Sequence, residues 1–207
     1  CGNSVFPREL LWPVVSPSGR GEPCEGLSGR KSPMRQVKVS EAIARKYPEW
    51  IVLIVTKSAQ GQVNVMPAGW SMFTSGIPPM FAVSVRLTHY THHLIESECD
   101  FVIAFPSPGM GPAIEYTGSR HGWDVDKLAG SGLEVSPAKV VKPPLIKGAV
   151  ANLECKLAAS MVTGDHSIFV GQIVAAHVED EAPERLVNFG AGRYAAALRN
   201  ERTVFEV

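Results

Sequence analysis

The sequence has no excess of charge of either sign. Its 207 residues include 20 Lys and Arg and 20 Asp and Glu, so the formal net charge at pH 7 is zero. Domains that bind nucleic acid carry a basic patch, and interaction tails carry runs of like charge. The sequence shows neither feature, and we therefore expect no nucleic-acid partner.

Long hydrophobic runs are also missing. The longest apolar stretches, such as WIVLIV at 50–55, are far shorter than the roughly 20 residues that a membrane helix needs. The start of the sequence lacks the apolar core of a signal peptide. We therefore expect a cytoplasmic protein with no membrane partner.

Cysteine pairs at metal-binding spacing are absent as well. The four cysteines are Cys1, Cys24, Cys99 and Cys155. None forms a CxxC pair, and their spacing indicates neither a zinc finger nor a disulfide framework. We predict free thiols in a reducing compartment. The GxSxG motif of serine hydrolases is absent too, so nothing indicates nucleophilic catalysis.

Residues 1–33 differ in composition from the rest of the chain. They are dense in Pro, Gly, Ser and Arg and follow neither the helical nor the strand period. Such a composition buries too little apolar surface to offset the entropy of ordering. We predict a flexible or non-native N-terminal extension over 1–33 and one domain over 34–207, which Met34 opens.

From Met34 onward the sequence predicts many strands and few, short helices. Runs rich in β-branched residues predict strands over 50–57, 63–67, 80–86, 101–105, 148–159 and 167–179, with a bulge at Gly171. Short helices are predicted over 41–47 with Ser40 as N-cap, over 91–97, and over 124–130. Because no βαβ alternation is present, this order favours an antiparallel β-barrel over a doubly wound sheet.

Three histidines lie within five positions after the strand over 80–86. They are His89, His92 and His93. His89 and His93 are four apart and could share a helix face, as zinc ligands do, but the Glu of an HExxH motif is missing. The other interpretation is an anion site, in which Thr91 caps a helix whose free N–H groups, together with Arg86, attract a phosphate. A plain capped helix with solvated histidines fits the spacing equally well.

Two further patterns bear on ligand binding. NVMPAGWSMF at 64–73 places aromatic, Met and small residues directly after a strand, which suits a flat aromatic ligand or a loop lining the core. GAGRYA at 190–195 matches the GxGxxA pattern of dinucleotide sites, but only 12 residues follow it. Because a Rossmann site needs a further strand, this second pattern does not indicate one.

Four segments, in this order, resemble the flavin reductase-like family and its flavoredoxin branch in particular. They are NVMPAGWSMFTSGIPPMFAVSVRLTHYTHHLIE from Asn64, GSRHGWDVDKLAGSGLE at 118–134, LECK at 153–156, and GDHSIFVGQIV at 164–174. The resemblance extends from Met34 to about Tyr194. It implies a mainly β fold with short helices, an antiparallel split β-barrel of the FMN-binding type. It also implies a homodimer with FMN near the subunit interface.

The resemblance also implies site residues. Those implied for FMN are Asn64, Val65, Met66, Ala68 and Trp70 along the isoalloxazine, Ser84, Val85 and Arg86 along the ribityl chain, and Tyr90, Thr91 and His92 at the phosphate. No metal ligand is implied, and His166 in the GDH element is the candidate for substrate contact or catalysis. Relatives typically read SGRDxDK, whereas this chain has Trp123 in the place of the Arg, which leaves the roles of Arg120 and Lys127 open.

The function implied is that of an FMN-dependent oxidoreductase. It would pass electrons from NAD(P)H or a protein donor through FMN to an acceptor, either as an NAD(P)H:flavin reductase or as an electron carrier that serves another redox protein. The alternative from a different class is a non-catalytic barrel that binds a metal or haem through His89, His92 and His93.

Overall fold

The computed structural model describes residues 34–179 and 184–197. The chain divides into two units, Cys1–Lys38 and Val39–Val207, and every helix and strand of the described residues lies in the second unit. The extension predicted over 1–33 lies outside the described residues. No helix in the described part of the chain is long and apolar enough to cross a bilayer.

The described residues form twelve strands, four α-helices and one 3-10 helix. The strands are β1 (Glu49–Trp50), β2 (Val52–Lys57), β3 (Val63–Ala68), β4 (Ser71–Gly76), β5 (Pro79–Arg86), β6 (Asp100–Phe105), β7 (Val135–Ser136), β8 (Leu145–Ile146), β9 (Ala151–Thr163), β10 (His166–Val178), β11 (Leu186–Asn188) and β12 (Tyr194–Ala196). The helices are α1 (Val39–Ile43), α2 (Tyr90–Glu98), α3 (Gly111–Gly118) and α4 (Lys127–Ser131), with the 3-10 helix at Pro108–Met110.

The main sheet contains seven strands in the order β3-β2-β6-β9-β10-β5-β4. Every neighbouring pair in it is antiparallel. Among the described strands, β3 and β4 pair on one side only, so the sheet is a split barrel rather than a closed one. The predicted antiparallel, mainly β architecture is confirmed. Smaller sheets, β1-β11-β12 and β7-β8, complete the fold.

Strand β2 shows why the sheet has a hydrophobic core on both faces. Side chains alternate between the two faces of a strand. Leu53 and Val55 lie in one cluster with Ile114 of α3, whereas Val52 and Ile54 lie in the other cluster on the opposite face. Because both faces of β2 are buried, its successive residues are all apolar up to Val55. This unbroken apolar run in the sequence predicted the strand.

The predicted bounds of the first and the last helix are wrong. The first helix spans Val39–Ile43 rather than 41–47, so Ser40 lies inside it and does not cap it. The helix predicted over 124–130 is α4 and begins at Lys127, because the side chain of Asp126 accepts a hydrogen bond from the backbone N–H of Ala129 and caps it.

Two strand predictions also need correction. The strand predicted over 50–57 is interrupted at Ile51 and forms β1 and β2. Strand β4 and the short strands β7, β8, β11 and β12 were not predicted. Strand β4 pairs with β5 through the turn at 77–78. The bulge at Gly171 is confirmed, because the pairing of β10 with β9 shifts register between Val170 and Gly171.

Candidate functional site

Two adjoining cavities lie where the ends of β3 and β5 meet the start of α2. The larger has a volume of about 420 Å³ and the smaller about 90 Å³. Met66, Pro67 and His89 line both cavities, so the two form one cleft with a wide part and a narrow part. The wide part falls within the range of about 300–1,000 Å³ that is typical of small-molecule sites.

The larger cavity is lined by two strand ends and by the turn after β3. The lining residues beyond the shared three are Lys46, Ala68, Gly69, Trp70, Ser84, Val85, Arg86 and His166. The structure therefore brings together the positions predicted for the ring and the ribityl chain, except Asn64 and Val65. Trp70 is held beside β5, since the N–H of Ser84 donates to its carbonyl oxygen at 2.9 Å.

His166 lies at this cavity with a fixed partner. Its Nδ1 is 2.6 Å from Oδ1 of Asp165, and Oδ2 of the same carboxylate is 3.3 Å from Arg86. The hydrogen bond with His166 lowers the pKa of Asp165, and the charges of His166 and Arg86 lower it further. The His166 ring also lies against Trp70, with ring centroids 5.0 Å apart. Asp165 therefore orients a group that can donate a hydrogen bond or a proton.

The smaller cavity is polar and contains a buried lysine. Lys127 is only 5% exposed, and its Nζ donates to the carbonyl oxygen of Thr117 at 2.7 Å. Burial lowers its pKa to about 8. An ammonium group has three N–H donors, and Thr117 supplies the one hydrogen bond found for Nζ within 34–179 and 184–197. The remaining donors suit an anion in the cavity that Lys127 lines.

Asn64 and Thr91 supply further polar groups to the smaller cavity. Asn64 Nδ2 donates to Thr91 Oγ1 at 2.9 Å, which leaves the hydroxyl hydrogen of Thr91 for another acceptor. Asn64 Oδ1 is buried and finds no hydrogen-bond partner among the described residues. A buried polar atom without a partner costs about 1–3 kcal/mol. The hydroxyl hydrogen of Thr91 can be donated to an anion, whereas Asn64 Oδ1 is an acceptor and needs a donor, such as a hydroxyl group of a ligand.

His89 marks the point at which positive charge accumulates. The pKa of His89 is lowered, and burial is the largest cause. The charges of Arg86, His121, Lys127 and His166 lower it further. These groups come from β5, α4, β10 and the segment after α3. His121 and Lys127 line the narrow part of the cleft, and Arg86 and His166 line the wide part, so positive charge converges on His89 from both parts. Such a convergence favours a phosphate or another anion near His89.

Glycine lets the segment after α3 approach the smaller cavity closely. A β-carbon on Gly122 would lie 2.6 Å from the Tyr90 ring and would also clash with the amide of Asn64. A β-carbon on Gly118 would lie 3.0 Å from Pro67. This segment also contributes Arg120 and His121 to the cavity wall. Sequence reasoning left Arg120 and Lys127 open and did not assign His121 to the cofactor. The signal that was available is the pair Gly118 and Gly122, which flank the triplet Ser-Arg-His.

Two predicted residues do not line the cleft. Val65 is fully buried in the core cluster on the face of β3 opposite Met66 and Ala68, because adjacent strand residues point to opposite faces. The ring of His92 contacts the core instead: its Nε2 is 2.8 Å from Ser167 Oγ. Its backbone N–H donates to the carbonyl oxygen of His89.

The start of α2 also differs from the prediction. The helix begins at Tyr90, and its N-cap is His89, not Thr91. The three histidines consequently diverge: His89 lines the cleft, His92 enters the core, and His93 is exposed. Over 34–179 and 184–197, no group of three or more His, Cys, Asp or Glu residues is placed to hold a metal ion.

The fold and the site define a split antiparallel barrel whose cleft suits a flat ligand with an anionic tail. The chain belongs to the flavin reductase-like family: the model of the "Flavin reductase like domain" matches residues 44–197. An uncharacterized protein of Pyrococcus abyssi (strain GE5 / Orsay) is 36% identical over 138 residues, which cover 67% of this chain and 78% of that protein.

Two solved structures share both the fold and part of the sequence. One is an FMN-binding protein from Thermus thermophilus with bound p-hydroxybenzaldehyde, at 26% identity and a TM-score of 0.70, covering 86% of this chain and 97% of that one. The other is flavoredoxin of Desulfovibrio vulgaris (Miyazaki F), at 26% identity and a TM-score of 0.68, covering 81% of this chain and 95% of that one.

Proposed function

We propose that this chain binds FMN in the two-part cleft and acts as a flavin-dependent oxidoreductase, taking electrons from NAD(P)H or from a protein donor. The observation that carries the proposal is the buried Lys127 in a narrow polar cavity next to a wide one. When bound, FMN would supply the hydride and electron chemistry. The two relatives of solved structure, an FMN-binding protein and a flavoredoxin, support this choice of cofactor.

The narrow cavity would hold the phosphate. Lys127 Nζ and the hydroxyl of Thr91 are both buried donors there, and Arg120 and His121 lie on the more exposed side. Charge-assisted hydrogen bonds of this kind are about twice as strong as neutral ones. Binding a phosphate would also repay the cost of burying the ammonium group of Lys127.

The wide cavity would orient the ring. Met66 and Ala68 offer an apolar wall on β3, and Trp70 and Val85 extend that wall. His166, oriented by Asp165, is the side chain at this cavity best placed to hold or donate a proton when a substrate is reduced.

Anaerobic addition of NADH or NADPH tests whether the protein is a reductase or a carrier. For a reductase, we expect the visible flavin absorbance of the FMN-loaded protein to bleach with one of the two nucleotides. If dithionite bleaches the flavin and neither nucleotide does, the protein is not a reductase, and the electron-carrier role with a redox protein as donor is supported. Protein that neither contains a flavin after purification nor takes up added FMN would contradict the proposed function altogether.

We also propose a homodimer formed through β4, next to the wide cavity. Trp70, Met72, Phe73 and Ile77 are 51%, 62%, 61% and 96% exposed and lie in or beside this edge strand. Exposed apolar patches of this kind mark protein interfaces. Light scattering should give twice the chain mass of 22.3 kDa, and a monomer at micromolar concentration would contradict the dimer.

A further inference from the structure

Lys46 brings a positive charge to the wide cavity from outside the main sheet. It lies between α1 and β1 and lines this cavity. Its Nζ is 5.9 Å from the centroid of the Trp70 ring and 4.8 Å from that of the Tyr47 ring. The face of an aromatic ring attracts a cation within about 6 Å. The two rings therefore help to keep the ammonium group at the cavity wall.

Glu49 fixes the position of Lys46. Lys46 Nζ donates a hydrogen bond to Oε2 of Glu49, and Oε1 of Glu49 accepts one from Asn188 Nδ2 at 3.4 Å. A β-carbon on Gly69 would lie 2.5 Å from Oε1 of Glu49, so the carboxylate packs directly against the backbone of Gly69. Gly69 itself lines the wide cavity. Of this ion pair, Lys46 thus faces the cavity, whereas Glu49 lies behind the cavity wall.

Lys46 lies at the end of the cleft away from the narrow cavity. Along the chain, Asn64 lines the narrow cavity alone, Met66 lines both cavities, and Trp70 lines the wide cavity alone. Lys46 lies over the Trp70 ring. A flat ring whose phosphate occupies the narrow cavity would therefore extend toward Lys46.

We propose that the positive charge of Lys46 raises the reduction potential of the bound flavin. The inference rests on the proposed function, because it takes FMN to be the ligand of the cleft. Reduction adds electrons to the ring, and a nearby cation favours the form that carries more negative charge. The side chains of Lys46 and Glu49 are 29% and 16% exposed, so water screens their charges only in part. Glu49 lies farther from the cavity and lowers the same potential by a smaller amount.

The test measures the midpoint potential of the FMN-loaded protein by spectroelectrochemical titration at pH 7. This potential reports how much more tightly the protein binds reduced than oxidised FMN. We expect Lys46→Met to decrease that preference about tenfold, which is a fall of about 30 mV for a two-electron couple. Glu49→Gln, which keeps an oxygen for Lys46 Nζ, should raise the potential. Lys46→Arg, which keeps the charge, should retain most of the preference.

Lys147→Met and Glu134→Gln are the matched controls. They make the same two substitutions in a Lys–Glu pair that lies 3.3 Å apart on the exposed surface. Because that pair is outside the cleft, neither control should shift the potential. Opposite shifts in Lys46→Met and Glu49→Gln, with none in the controls, are a result that a purely structural role would not produce.

The outcomes separate this inference from the proposed function. The inference is wrong if Lys46→Met keeps or raises the potential, if Glu49→Gln lowers it, or if the controls shift it equally. Loss of FMN binding in Lys46→Met would also overturn it, because the affinity for oxidised FMN should change little. In each of these cases the wild type still binds FMN and the proposed function stands. If the wild type binds no FMN, the proposed function fails and the inference fails with it.

Discussion

Lys127→Met is expected to weaken FMN binding by at least about 30-fold. Truncating one partner of a buried charge pair costs about 2–5 kcal/mol, and each 1.4 kcal/mol is a factor of ten. Lys127 is 5% exposed, lines the narrow cavity, and retains donors beyond the one that Thr117 accepts. The dissociation constant from calorimetry at pH 7 measures the effect.

The same lysine makes FMN binding depend on pH. In the free protein, burial lowers the pKa of Lys127 to about 8, and a bound phosphate would raise it again. Below pH 8 the free protein already carries the proton, so this group adds no pH dependence. Above pH 8 binding must take up a proton, and the dissociation constant should rise by up to about tenfold per pH unit. Lys127→Met should lack this rise.

Lys147→Met is the matched control for these measurements. Lys147 is exposed, pairs with Glu134 at 3.3 Å, and does not line the cleft. Its substitution should leave the FMN affinity and its pH dependence unchanged. If both variants keep the affinity of the wild type, Lys127 does not bind the phosphate. Thermal denaturation of each variant checks that the fold is retained.

Glu154→Gln is expected to lower the free energy of unfolding by about 1.5–3 kcal/mol. The Glu154 carboxylate is fully buried on β9 and accepts hydrogen bonds from the backbone N–H groups of Lys139, Val140 and Val141 at 2.6–2.9 Å. It also lies 2.6 Å from His177 Nε2. A glutamine has one acceptor oxygen, so its NH₂ group would face at least one of these donors.

The Glu154 carboxylate also predicts the response to acid. Burial by itself raises its pKa, but the hydrogen bonds from Lys139, His177, Val141 and Val140 outweigh burial and lower it. A carboxyl group whose pKa is lower in the folded state stabilises the fold above its unfolded pKa of about 4.3. That contribution is lost as the pH falls through the folded pKa. The wild type should therefore lose stability below about pH 4.3, and this part of the loss should be absent in Glu154→Gln.

Urea denaturation of Glu154→Gln and Glu134→Gln separates this contact from a general effect of removing a charge. Glu134 is largely exposed in its pair with Lys147, and its substitution should change the unfolding free energy by less than about 1 kcal/mol. Equal stability of the two variants would show that the carboxylate of Glu154 does not hold the segment over 139–141.

Burial on both faces made strand β2 predictable, and exposure made β4 unpredictable. The run over Val52–Val55 is fully buried and composed of β-branched residues and leucine, so composition alone indicated a strand. Strand β4, SMFTSG, has four exposed residues and no buried one. Since edge strands lack an alternating apolar pattern when neither face is covered, its pairing with β5 could not be inferred locally.

Site residues on a single strand were predictable, because side chains alternate between its two faces. Site residues that distant segments bring together were not predictable from the sequence. The alternation that places Met66 and Ala68 at the cleft also places Val65 in the core, and this could have been inferred from the sequence. The contact between Lys127 and the carbonyl oxygen of Thr117 joins α4 to α3. No local pattern reports such a contact, so the sequence left the role of Lys127 open.

The most direct measurement is the ratio of the dissociation constants of riboflavin and FMN for the wild-type protein. The two ligands share the ring and the ribityl chain, and they differ by the phosphate that the narrow cavity is proposed to bind. We expect stoichiometric FMN binding and a dissociation constant for riboflavin at least about 30-fold higher. Equal binding of the two ligands, or no binding of either, would contradict the proposed cleft.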